Sequence, residues 1–141
     1  MNQTQLLLLP AFVHVALILY VLIRTGSGRV AAVRKGMVKR SEIDTNKMAY
    51  PEEVRNFANN YQHQFELPVL FYALLPLVLV TGLADTLTVW FSWFFVASRG
   101  VHTYVQTGRN VIALRFKVFL TGMIILASMW AWFGLRLFVI G

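Results

Sequence analysis

The chain contains no cysteine. That excludes a disulfide framework, a cysteine-ligated zinc or iron–sulfur site, and a cysteine nucleophile. Charge is also scarce: Asp, Glu, Lys and Arg make up 13% of the 141 residues, where soluble domains carry about 25%. Acids are scarcer than bases, 6 against 13, for a formal net charge of +7. The 3 histidines fall in different segments, which argues against a metal site. No phosphate loop, HExxH pattern or Ser/His/Asp set is present. Apolar residues, in contrast, reach 57%. This balance excludes a soluble globular enzyme, a disordered chain and a charge-rich nucleic-acid binder. It points to an integral membrane protein of one domain, residues 1–141.

A spanning helix needs about 20 mostly apolar residues. Four segments meet that need, predicting an all-α bundle of four transmembrane helices at residues 6–23, 51–82, 86–106 and 113–140. The first lacks a basic leader and a small-residue cleavage site, so it reads as a retained span rather than a signal peptide. The turn-prone cluster Thr25-Gly26-Ser27-Gly28 is expected to end it and open a long polar loop. The second begins near Pro51-Glu52-Glu53, a good helix start, and adds polar turns before its apolar run. Pro68 is expected to kink it. Gly82-Leu83-Ala84-Asp85 joins the second and third spans into an antiparallel hairpin, with Asp85 as a turn or cap residue.

Twelve of the 13 Lys and Arg residues flank the first–second and third–fourth connections, and only Arg136 lies towards the other face. By the positive-inside rule, the basic loops are cytoplasmic and both termini are not. Trp90, Trp93, Trp130 and Trp132 suit an interfacial aromatic belt on the far side.

Polar residues inside a membrane are costly, so each is a functional candidate. On the second helix, steps of three and four place Asn56, Asn59, His63 and Glu66 on one face. On the third, Arg99, His102, Thr103 and Gln106 share a face. A lipid-facing stripe of Arg, His and Gln is hard to sustain, so this one is expected to turn inward. The two stripes lie at similar depth, which makes an Arg99–Glu66 pair a plausible contact. His14, Ser92 and Ser128 are expected to make inter-helix hydrogen bonds. Gly122 and Gly134 offer close packing positions. A pocket of Arg, amide and His groups with one carboxylate suits an anionic, backbone-like ligand that also bears an ammonium group. Without cysteine, any thiol chemistry must use the ligand's own sulfur.

The run Asn59-Asn60-Tyr61-Gln62-His63-Gln64-Phe65-Glu66-Leu67-Pro68 resembles the second-helix motif of the membrane-associated proteins in eicosanoid and glutathione metabolism, the MAPEG family. So does Arg99-x-x-His102-Thr103 with Arg115 sixteen residues on. Thr25-Gly26-x-x-Arg29 is a third, weaker match. The family includes microsomal glutathione transferases and prostaglandin E synthase. The resemblance covers nearly the whole chain. It implies a homotrimer that binds glutathione as cosubstrate between subunits near the cytoplasmic face and takes a lipophilic small molecule from the bilayer. It implies that Glu66 holds the glutathione amino group. Arg29, His63 and Arg99 would contact its carboxylates or backbone, with Asn59, His102 and Gln106 completing the set. Arg115, in preference to Arg109, would be the catalytic group that stabilises the thiolate. The sequence departs from the eukaryotic synthases at three positions: Asn59 stands where they carry Arg, His63 where they carry Asn, and Gln106 where they carry Tyr.

Three functions remain in view. One is a glutathione-dependent transferase or peroxidase of lipophilic electrophiles. Another is a lipid-binding or scaffold trimer without catalysis. The third is a small cation transporter using Glu66, which the Arg-rich pocket disfavours.

Overall fold

The computed structural model describes residues 2–43 and 45–140, with the side chain of Arg40 left aside. The described residues form five α-helices and no strand: α1 (Gln3–Arg34), α2 (Glu52–Glu66), α3 (Pro68–Val80), α4 (Thr86–Thr107) and α5 (Ile112–Leu135). Short 3-10 turns occupy Arg40–Glu42 and Lys47–Ala49, and a π turn at Arg136–Ile140 follows α5.

α1 departs from expectation. It does not stop at Thr25-Gly26-Ser27-Gly28 but runs 32 residues, starting from a reciprocal Asn2–Gln5 cap. At 1.5 Å per residue it is about 48 Å long, roughly 18 Å more than the hydrocarbon core. Packing overrides the weak local propensity. Gly28 lies against α2, where an added Cβ would sit 3.1 Å from Val54 Cγ2. The Thr25 hydroxyl donates to the Val21 carbonyl, one turn back on its own helix. Ala32, Val38, Tyr50 and Val54 then form a small separate core that ties the extension to the start of α2.

The expected second helix is present but divided. α2 ends at Glu66 and α3 begins at Pro68. Proline has no N–H to give the carbonyl four residues back, which breaks the hydrogen-bond ladder there. The turn after α3 reverses the chain as predicted, with Gly82 at φ 68. The main core joins α1, α3, α4 and α5 through Leu7, Phe71, Leu74, Phe95, Leu126 and Met129. α4 and α5 approach closely at Gly122, where an added Cβ would lie 2.8 Å from Ser98 Oγ. Gly134 meets nothing within 4 Å, so it serves no such contact.

Three helical stretches are long and apolar enough to cross a membrane: Gln3–Arg34, Glu52–Val80 and Ile112–Ile140. α4, the third of the four expected spans, is not among these by composition. Its 22 residues reach about 33 Å, but Arg99, His102, Thr103 and Gln106 lower its hydropathy. All four are buried. The third helix is therefore polar on its inner face and covered by its neighbours.

The serines also differ from expectation. Ser92 donates to Thr88 O at 2.8 Å and Ser128 to Ile124 O at 2.9 Å, each within its own helix. A serine hydroxyl reaches the carbonyl four residues back more easily than it reaches another helix. At the α3–α4 end, Asp85 caps α4 by accepting from the Thr88 N–H and O–H, each at 2.7 Å. It does more than cap. Its other oxygen accepts from Trp132 Nε1 at 2.9 Å and pairs with Arg136 at 2.6 Å. Trp132 is thus anchored to a carboxylate, while Trp90 faces outward.

Candidate functional site

The inward face of α2 begins with Val54 and Phe57 and continues through Asn60 and Gln64 to Pro68. Asn60 and Gln64 are each 0% exposed. The apolar pair at the start of the helix sets which side turns in. It places Asn60 and Gln64 inside and leaves Asn59 and Glu66 exposed, with Asn56 and His63 half-buried. The stripe of Asn56, Asn59, His63 and Glu66 is therefore not the buried face, which corrects the sequence reading. The α4 stripe is inward, as expected.

Between these faces lies a continuous hydrogen-bonded layer. Gln64 Nε2 donates to Thr103 Oγ1 at 2.7 Å and to Asn60 Oδ1 at 3.1 Å. Thr103 donates to Asn60 Oδ1 at 3.0 Å, and Asn60 Nδ2 donates to Gln106 Oε1 at 2.9 Å. On the other side, His14 bridges Gln64 Oε1 at 3.0 Å and Tyr72 Oη at 2.8 Å. His14 thus makes the inter-helix bonds predicted for it. Of the α4 stripe, Gln106 and Thr103 belong to this layer.

Arg99 and His102 belong to a second group. Arg99 is 0% exposed, and its Nε and Nη1 have no hydrogen-bond partner. Its Nη2 reaches His63 O and His102 Nδ1, each at 3.4 Å. The first contact falls in the last turn of α2, where Pro68 interrupts the ladder. The expected Arg99–Glu66 ion pair is not formed among the described residues. Glu66 pairs with His63 Nδ1 at 2.7 Å instead, because both sit on the outer side of α2 three residues apart. The His63 and His102 rings stand edge to face with centroids 5.8 Å apart.

A cavity of about 240 Å³ opens beside this group, lined by His63, Glu66, His102 and Arg115, with Ile112, Phe116 and Phe119 as an apolar wall. Arg115 is held from the α4–α5 turn: Asn110, at φ 48, accepts from Arg115 Nη1 at 2.9 Å and donates to Asn56 Oδ1 at 3.2 Å. A short side chain that tolerates left-handed backbone suits that turn. Arg109 is exposed. Four of the eight predicted site residues thus share one cavity, and Arg99 adjoins it through His63 and His102. Arg29 and Asn59 do not join them. They line a separate cavity of about 220 Å³ with Lys47, Tyr50 and Arg55, where the Arg29 guanidinium lies 5.6 Å from the Tyr50 ring centroid. Gln106 is committed to Asn60.

Asn60 and Gln64 lie in the polar run expected on the second helix but off the face chosen for the site, Tyr72 was not among the expected site residues, and Asn110 was expected only as loop. The apolar Phe57, three residues before Asn60 and seven before Gln64, with Val54 one turn earlier on the same face, was the available signal. Chemically, the cavity offers one guanidinium, a carboxylate, two imidazoles and an aromatic wall, with the buried Arg99 guanidinium behind His63 and His102. That set suits a small zwitterion with an anionic end beside an apolar co-reactant. Among the described residues, no group of three His, Asp or Glu could hold a metal ion.

The MAPEG family profile matches residues 7–135, nearly the whole chain, and the chain belongs to that family. Membership together with three helices able to cross a membrane makes it a membrane protein of glutathione-related transferase or synthase type. No curated protein and no solved structure matches it.

Proposed function

We propose that this MAPEG chain is a glutathione-dependent transferase or peroxidase that acts on lipophilic electrophiles within the bilayer. One observation carries the reading: a guanidinium at 0% exposure, Arg99, with two nitrogens unpartnered beside a cavity of mixed charge. A buried charge without a counter-ion is costly, and an anionic ligand group relieves that cost. A glutathione carboxylate is such a group. Glu66 receives the ammonium end once His63 yields its contact. Arg115 lies where it favours a thiolate over a thiol, and the thiolate is the nucleophile. Phe116, Phe119 and Ile112 give the electrophile an apolar seat open to the membrane.

Arg29 and Asn59 reach the ligand in this reading only if a neighbouring copy brings its α1–α2 cavity to the thiol cavity. The homotrimer that the family resemblance implies would supply such a copy. The basic loops lie on the cytoplasmic side, with both termini opposite.

Titration calorimetry of detergent-purified protein with glutathione tests the reading. Binding at or below millimolar ligand is expected, with conjugation of an aryl halide. Arg115→Ala should lose about 100-fold in rate while retaining binding, as removal of a group that stabilises developing charge does. Absence of heat at millimolar glutathione overturns the proposal. Binding without turnover would overturn the catalytic part of the proposal. An intact trimer that binds a fatty acid but no glutathione would favour the non-catalytic lipid-binding reading, which the exposed Asn59 in place of Arg also favours.

A further inference from the structure

A groove of about 340 Å³ runs between α1 and α3 on the apolar part of the bundle. Leu8, Phe12, Leu75 and Leu79 are among its walls, and Tyr72 brings the only polar side-chain atom in its lining. Its volume is at the lower end of small-molecule sites, roughly 300–1,000 Å³. It is separate from the thiol cavity: the layer of Gln64, Asn60 and Thr103 lies between α2 and α4 on the inner side of α2.

That layer decides what the Tyr72 oxygen can do. Gln64 Oε1 can only accept, so His14 Nε2 carries the hydrogen of their 3.0 Å bond. An imidazole at 0% exposure with no carboxylate partner is neutral. His14 Nδ1 is then an acceptor, and the Tyr72 hydroxyl donates to it at 2.8 Å. The phenol proton is committed inward. What Tyr72 retains for the groove is an oxygen lone pair, able to accept and unable to donate.

We propose that this groove binds a long-chain lipid bearing a single hydroxyl, whose O–H donates to Tyr72 while its chain follows α1 and α3 towards Leu8 and Leu79. An ester, ketone or ether of the same length presents only lone pairs to a lone pair and is disfavoured. The site does not depend on the thiol chemistry proposed above.

The test uses the native protein in lipid nanodiscs. A long-chain alcohol carrying a diazirine is photo-crosslinked, and the labelled peptide is identified. 1-Dodecanol and its methyl ether serve as competitors. Labelling of α1 or α3 is expected, with the alcohol competing roughly three- to tenfold better than the ether, the worth of one hydrogen bond. Tyr72→Phe should erase the difference between the competitors. Ala11→Leu fills the groove without touching the hydrogen-bonded layer and should reduce labelling overall. Equal competition in the native protein overturns the proposal, as does a better ether, labelling indifferent to Ala11→Leu, or no labelling of an intact oligomer whose second copy covers the groove.

Discussion

Gln64 and Arg99 are both 0% exposed, yet their surroundings are opposites. Both amide ends of Gln64 are engaged, by His14, Asn60 and Thr103. Arg99 has two nitrogens without any partner. A satisfied buried network holds helices in one register and needs nothing more. An unsatisfied buried charge is a standing cost that a structural role does not explain. Of two polar groups in one bundle, the complete one is accounted for by the fold, and the incomplete one is the group that the proposed function assigns to a ligand.

The sharpest way to break this contrast is Arg99→Met. If the guanidinium waits for an anion, glutathione affinity should fall about 10- to 100-fold, the worth of a charge-assisted hydrogen bond. Stability to denaturant should stay level or rise by about 1–4 kcal/mol, because an unpaired buried charge has been removed. A large loss of stability instead would place Arg99 with the structural layer. Gln64→Leu should behave in the reverse manner. It removes three bonds at roughly 0.6 kcal/mol each and leaves buried partners bare, so unfolding should cost about 2 kcal/mol less. Glutathione affinity in the folded fraction should change by less than about threefold. Equal binding losses in both variants would show that the two groups act as one.

A third polar group, at the opposite end of the bundle, extends the comparison. Burial alone would raise the Asp85 pKa. Hydrogen bonds from the Thr88 N–H and O–H and from Trp132, with the Arg136 charge, outweigh it and hold the carboxyl below its ordinary value of 3.8. A depressed carboxyl adds stability above its unfolded-state pKa and loses it as pH falls through the folded value. Thermal stability should therefore begin to drop below about pH 4. Asp85→Asn should cost about 1 kcal/mol at neutral pH and flatten that decline, leaving glutathione binding unchanged. A pH profile identical in both proteins would remove Asp85 from the structural account.

Several of these features were legible in the residues alone. Apolar runs, scarce charge and the Arg99-x-x-His102-Thr103 spacing led to a helical membrane bundle with an inward polar stripe on its third helix. Pro68 announced the break in the second helix, and Asp85 its place at a helix start. These are local matters, decided by periodicity, propensity and the missing proline N–H.

Other features were settled only by packing. Gly26 and Gly28 look like a turn in sequence, but Val54 accepts Gly28 at close range and the helix continues. Asn59 and Asn60 are adjacent and chemically identical. One is exposed and the other buried because Val54 and Phe57 set the rotation of α2 against α1 and α4. Glu66 takes His63 rather than Arg99 because three residues along one helix is nearer than the gap between two. Sequence determined which polar groups must be sheltered from lipid. Tertiary structure decided which of them found partners, because a hydrogen bond between helices depends on relative rotation that no single helix carries in its own periodicity.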